Sequence, residues 1–205
     1  MNNEQKIEFI VNWIYNYVQN MPQPAKSLIV GISGGIDSAL TSTLCAMTNL
    51  RTICLRMPIV TKAPIDSEKH CEWLKDKFKN VISYEINLSK VFSQFKSECT
   101  SNSFESKLGL ANSKARLRMM TLYQVAASEF GIVVGTGNKV EDFGVGFFTK
   151  YGDGGVDISP IADCTKTEVW EMASEMSIIQ DIIEAKPTDG LWDDNRNDEK
   201  QLGLT

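Results

Sequence analysis

Residues 27–38 read Ser27-Leu28-Ile29-Val30-Gly31-Ile32-Ser33-Gly34-Gly35-Ile36-Asp37-Ser38. The first half is short, apolar and β-branched, the composition of a strand buried on both faces. The second half supplies glycines for a tight turn, and the helix-prone stretch 39–47 follows at once. A strand leading through a glycine loop into a helix is the opening of a βαβ unit. Outward from it, 51–57 reads as a second strand, 65–78 as a helix and 80–86 as a third strand. Leu108, Ala111, Ala115, Met119, Leu122 and Ala126 form a helical stripe, and the strand-like 131–136 follows. This rhythm predicts an α/β fold, a Rossmann-like parallel sheet with helices on both faces, as one domain over 1–205.

Upstream, Ile7, Ile10, Val11, Ile14 and Val18 keep helical spacing, so an amphipathic helix is expected to end before Pro22 and Pro24. Phe9 and Trp13 project away from that stripe. They are read either as a second contact surface or as scattered surface aromatics.

Glycine placement marks the site. Three of the 14 glycines lie in 31–35 and eight more in 131–155, each cluster following a predicted strand. Ligand loops of open α/β sheets sit at such strand ends, so the clusters are read as two walls of one site.

Bulk composition narrows the classes. With 205 residues, 42% of them hydrophobic and 23% charged, the chain is long enough to bury a sizeable core without metal or disulfide staples. Five cysteines without a CxxC pair, and one histidine, argue against a structural zinc site or a disulfide framework. A net charge of -5 argues against general attraction to nucleic acid or an anionic membrane. The polar start and the lack of an 18-residue apolar run lead to the expectation of a cytoplasmic protein.

In Gly31-Ile32-Ser33-Gly34-Gly35-Ile36-Asp37-Ser38, backbone N–H groups, two hydroxyls and a helix N-terminus can converge on an anion. The Gly-Lys-Ser/Thr ending of a Walker loop and the GxGxxG spacing are both absent. Asp37, the only charged residue in 27–50, would repel a phosphate unless a cation lay between them, which suits a magnesium ligand. The same residues also fit a plain glycine turn with Asp37 or Ser38 capping the next helix.

The octet resembles the SGGxDS pyrophosphate loop of the N-type ATP pyrophosphatases, the PP-loop or adenine nucleotide hydrolase-like fold. Further stretches are Asn112-Ser113-Lys114-Ala115-Arg116-Leu117-Arg118-Met119, Gly135-Thr136-Gly137-Asn138-Lys139 and the block from Gly146-Phe147-Phe148-Thr149-Lys150-Tyr151 to Val156-Asp157. Pro160-Ile161-Ala162-Asp163-Cys164-Thr165-Lys166-Thr167 and Lys186-Pro187-Thr188-Asp189-Gly190-Leu191-Trp192 complete the series. In this order they resemble ammonia-dependent NAD synthetase.

That resemblance implies an ATP site at Gly31, Ile32, Ser33, Gly34, Gly35, Ile36, Asp37 and Ser38, with Thr136, Lys166 and Thr188 as further contacts. It implies Mg2+ held by Asp37 and Glu141, deamido-NAD bound by Arg116, Lys150 and Asp157, and catalytic roles for Ser33, Asp37 and Lys166. Chemistry agrees where it can. An ammonium at Lys166 is a mobile point charge able to follow a departing pyrophosphate, although a solvated lysine at a helix start is the commoner case. Arg116, one step off its helix's apolar stripe, could grip a pyrophosphate or carboxylate with its fork, or simply pair on the helix flank. Asp153, in the turn-rich loop between Lys150 and Asp157, is a secondary candidate for the site or simply a turn residue bonded to nearby backbone. From Glu141 to Lys150 there are nine positions where eight are expected, which leaves Asp142 as an alternative ligand.

The activity implied is ATP-dependent adenylation of the nicotinic acid carboxylate, then amidation by free ammonia, in a homodimer. The motifs occupy the chain, so no glutaminase domain is expected, while family members add a basic contact from a helix beyond the Gln201-Leu202-Gly203-Leu204 stretch. Alternatives are another PP-loop ligase, acting on a nucleotide or tRNA, and a catalytically silent nucleotide-binding homologue. His70, far in sequence from every motif, is read as structural.

Overall fold

The computed structural model describes residues 1–59 and 65–185, except the Phe143 side chain. Twelve elements follow in order: α1 (Asn3–Gln19), β1 (Ser27–Gly31), α2 (Ile36–Met47), β2 (Thr52–Arg56), α3 (Ile65–Lys77), β3 (Val81–Glu85), α4 (Ser89–Ser101), α5 (Lys107–Ser128), β4 (Gly131–Val134), a π-helical turn (Lys139–Val145), α6 (Lys166–Glu175) and α7 (Gln180–Ile183). The strands form one parallel sheet in the order β3-β2-β1-β4.

That order sets the site. From β1 the chain winds outward through β2 to β3, then returns to place β4 on the other side of β1. The connections after β1 and β4 therefore diverge at the sheet's topological switch point, where open α/β sheets bind ligands. Both glycine clusters emerge there, as the sequence predicts.

Period-2 alternation divides the strand residues between two cores. Leu28, Val30, Cys54, Ile132 and Val134 pack with Leu40 and Leu44 of α2 and with residues of α1, α3, α6 and α7. Ile29, Ile53, Leu55 and Val133 pack on the other face against Phe92 of α4 and Leu122 and Ala126 of α5. Both faces being covered explains the near-continuous apolar strands, and the predicted sandwich of helices is what the chain forms.

α1 forms as the spacing predicts. Asn2 and Gln5 make a reciprocal capping box, and Ile7, Ile10, Ile14 and Val18 are buried. Phe9 and Trp13 stay exposed, with Trp13 packed beside Tyr17 at 5.8 Å between ring centroids. Three elements go beyond the sequence reading: α4, the π-helical turn and the single turn of α7. α4 carries a helical signal, because Leu88, Phe92, Phe95 and Cys99 recur at i, i+4, i+7 and i+11, but Phe92 alone of the helix is buried. The π-helical turn is too short to show a period.

Candidate functional site

Strand β1 ends at Gly31, where a Cβ would meet Met57 and Leu122, and the chain turns through Gly34 at φ 93°. Only glycine adopts that backbone without strain. The two serines tie the turn together. Ser38 Oγ donates to the Gly35 carbonyl at 2.9 Å, lies 3.0 Å from Ser33 Oγ and accepts from the Ser33 N–H at 3.3 Å. The Gly35 N–H donates to Ser33 Oγ at 3.1 Å. Gly35 is the N-cap of α2 and no side chain caps it. The first N–H groups of the helix therefore lack both intrahelical acceptors and a cap, the state in which a helix start receives an anion. The alternative of Asp37 or Ser38 as a helix cap is not what the chain adopts.

Behind the loop, α2 is almost wholly buried, and α3 supplies a support. The fully buried His70 places Nε2 2.9 Å from Ser42 Oγ, and Ser42 in turn donates to the Ser38 and Ala39 carbonyls. The Ser42 proton is thus committed, so His70 is the Nε2–H donor of the pair and its Nδ1 is left without a partner. Burial pushes the His70 pKa down to about 4, opposed by the Ala39 backbone. The histidine is structural, as predicted, and what it supports is the first turn of α2, behind the glycine loop.

Asp37 does not face solvent. Lys166, the first residue of α6, donates to its Oδ2 at 2.6 Å and to Glu141 Oε1 at 3.0 Å. α6 is started by the Thr165–Glu168 capping box, which sets where Lys166 leaves the backbone. Burial raises the Asp37 carboxyl pKa, while Lys166 opposes the shift. Burial also works against the Lys166 ammonium, but Asp37 and Glu141 more than offset it and raise its pKa. Lys166 thus stays charged and links the two predicted metal ligands from two different walls.

Asp142 is placed differently. Its carboxylate lies over Gly137, where any Cβ would overlap it. Burial, with Asp153, Glu141 and Asp37 adding repulsion, pushes its pKa up to about 6. Glu141, not Asp142, shares the Lys166 ammonium with Asp37. Thr136 sits half-buried between Gly135 and Gly137 at the mouth of β4.

The remaining wall is the loop after the π-helical turn. Asp153 accepts from the Thr149 N–H at 2.9 Å, the backbone role the sequence suggested, and Thr149 Oγ1 bonds Asn112 on α5. Gly152 lets this loop lie against Ala115, and Gly155 against Met119. Arg116 Nε donates to the Lys150 carbonyl at 3.2 Å, so two predicted dinucleotide contacts meet. Asp157 accepts from Tyr123 at 3.0 Å and from the Val133 N–H at 2.7 Å. Burial and Asp157 push the Tyr123 pKa up to about 12. Arg116 and Tyr123 are seven residues apart on α5 and share a face, which aligns Arg116, Lys150 and Asp157 along one helix. Thr188 lies outside the described residues.

One site residue escaped the sequence reading. Asn138 is fully buried, caps the π-helical turn and bonds Asp37. Asn before a helix signals a cap. Nothing local signals a partner 101 residues away.

The model of the family described as NAD synthase matches residues 6–205. An NH3-dependent NAD+ synthetase of Methanosarcina acetivorans is 40% identical over 202 residues, spanning 95% of this chain and 76% of that protein. One of Carboxydothermus hydrogenoformans is 38% identical, spanning 100% and 83%. Among solved structures, an NMN synthetase of Francisella tularensis is 32% identical with a TM-score of 0.89, covering 100% of this chain and 83% of that one. The NH3-dependent NAD synthetase of Campylobacter jejuni is 28% identical with a TM-score of 0.79, covering 89% and 77%. With the glycine loop and the Asp37–Lys166–Glu141 cluster joined at the switch point, and with relatives this similar over nearly its whole length, the chain belongs to the NH3-dependent NAD+ synthetase family of ATP-using ligases.

Proposed function

We propose that this chain amidates the nicotinic acid carboxylate of deamido-NAD with free ammonia, driven by cleavage of ATP to AMP and pyrophosphate. The observation that carries this reading is the single ammonium of Lys166 drawing Asp37 and Glu141 together beside an uncapped helix start. In the first half-reaction a carboxylate oxygen attacks the α-phosphorus of ATP, and the bond to the β-phosphate oxygen breaks. The substrate becomes an acyl adenylate. In the second, ammonia attacks the acyl carbon, the bond to AMP breaks, and a proton passes to solvent.

The protein's part is positioning and charge neutralisation. The α2 N–H groups, Ser33 and Ser38 receive the phosphates, with Thr136 and Thr188 as further ATP contacts. Lys166 holds the departing pyrophosphate. Arg116, Lys150 and Asp157 bind the dinucleotide along α5. Asp37 and Glu141 are hard oxygen donors already within reach of one cation, which fits Mg2+. No three metal-donor side chains cluster among the described residues, which suits a cation whose remaining ligands come from the nucleotide. When bound, Mg2+ supplies screening of the phosphate charge. Lys166 bonds the same two carboxylates, so a bound cation would compete with it for them and leave its ammonium for phosphate.

Purified protein given deamido-NAD, Mg-ATP and ammonium is expected to produce NAD+, AMP and pyrophosphate in equal amounts. Release of ADP breaks the mechanism. The similarity to the Francisella NMN synthetase favours a second reading, in which nicotinic acid mononucleotide is the better substrate. The ratio of kcat/KM for the two acids separates them. Binding of ATP without turnover of either acid points to the silent homologue instead.

The exposed aromatics Phe9, Trp13 and Tyr17 on α1 support a homodimer, and sedimentation that gives only monomer at micromolar concentration counts against it. All five cysteines are free, and no helix among the described residues is long and apolar enough to cross a membrane. Both fit work in the reducing cytoplasm.

A further inference from the structure

We infer that Asn138 is the positioning residue of the cation site, the group that fixes Asp37 and Glu141 relative to each other. Its amide can point only one way. Oδ1 accepts from the Val140 N–H at 3.0 Å and the Glu141 N–H at 3.1 Å, so the Nδ2 group faces Asp37 and donates to its Oδ1 at 3.2 Å. One buried side chain therefore holds the turn that carries Glu141 with its oxygen and the carboxylate of Asp37 with its nitrogen.

The division of labour at Asp37 follows. Asn138 pins Oδ1, and Oδ2 is the oxygen that shares the Lys166 ammonium with Glu141 Oε1. Without the amide, Asp37 could rotate about its own side chain and lose the face it shares with Glu141. A neutral donor is the only type that serves. A carboxylate there adds a third negative charge in a buried spot, and a lysine or arginine neutralises the pair that a divalent cation needs. The buried amide is satisfied on both sides, the condition under which a polar network in a core specifies one geometry.

This inference rests on the reading that Asp37 and Glu141 hold the divalent cation, and the test separates the two. Asn138→Ser keeps a hydroxyl to cap the π-helical turn but lacks the donor reach to Asp37. Mn2+ binding is measured by electron paramagnetic resonance with α,β-methylene-ATP present. In Asn138→Ser the Mn2+ affinity is expected to fall about 10- to 100-fold, as is usual for loss of a partner that orients a ligand. Turnover falls with it, while KM for the dinucleotide acid and the melting temperature stay near those of the parent. In an Asp37→Ala background, Asn138→Ser is expected to cost nothing further.

Parent-like Mn2+ affinity in Asn138→Ser, or a full extra loss on top of Asp37→Ala, overturns the inference while leaving the cation site standing. Parent-like Mn2+ affinity in Asp37→Ala overturns both. Should Asn138→Ser melt far lower, Asn138→Asp provides the second arm. It keeps the cap, reverses the link to Asp37, and must weaken Mn2+ binding in its folded fraction for the inference to hold.

Discussion

The two walls of the site are built differently. On the β1 side, ten of the twelve residues of α2 are buried and the loop is cross-tied by Ser33 and Ser38, with His70 and Ser42 behind it. On the α5 side, Arg116, Lys150 and Asp157 are all exposed, and the loop leans on α5 through glycines and a few side-chain bonds. Under the proposed function the difference matches the ligands, with the glycine loop holding the triphosphate and the α5 side the dinucleotide. Triphosphate has the same charge and shape in every turnover, so its cradle can be set in the core. A dinucleotide must enter and leave past the second wall, which keeps its contacts at the surface.

The sharpest break of that contrast is Asp37→Ala. It removes the charge at the centre of the rigid wall, and pyrophosphate release is expected to fall about 10^3-fold while circular dichroism stays unchanged. Lys166→Met comes next, with kcat down about 10^2-fold. Without nucleotide, however, the same variant is expected to bind Mn2+ more tightly than the parent, because the competing ammonium is gone. Unchanged or weaker metal binding in Lys166→Met shows that the lysine does not share the cation's place.

His70 tests the support of the rigid wall through pH. Its folded pKa of about 4 lies below the ordinary histidine value of 6.5, so the folded protein resists protonation that the unfolded chain accepts. The associated stability is fully present above pH 6.5 and is lost as pH falls through 4, by about 3 kcal/mol in all. Urea midpoints across that window should show the slope, and a His70→Leu variant should flatten it. The smallest effect belongs to the open wall. Gly152→Ala sets a methyl against Thr149 and Ala115, pushing the loop from α5. A several-fold rise in KM for the dinucleotide acid is expected, with KM for ATP unchanged. Equal changes in both would show that the two walls are not independent.

Legibility divides along the same line. β1, the glycine loop and the start of α2 lie within twelve consecutive residues, so strand composition, turn chemistry and helix start all show in the local sequence. The α5 stripe was equally plain, and it placed Arg116 just off the buried face. α4 escapes the sequence reading although its apolar spacing is helical, because Phe92 alone of the helix is buried and the signal is sparse. Which of Glu141 and Asp142 meets Lys166 is not legible locally, since adjacent residues of a turn differ only in direction. Asn138 carries only the local signal of an asparagine before a helical turn, and nothing nearby marks its bond to Asp37.

What the sequence determined by itself was therefore whatever depends on neighbours along the chain: the parallel α/β order, the two glycine walls and the phosphate loop, each set by periodicity, backbone freedom and helix-start chemistry. What the tertiary structure alone decided was which groups meet across it. Lys166 reaches Asp37 across 129 positions and Glu141 across 25, and Asn138 reaches Asp37 across 101. Those meetings depend on the return of β4 beside β1 and on the angle at which α6 leaves its cap. Buried charges and amides are stable only when paired, so partners remote in sequence are chosen by packing, which no local pattern encodes.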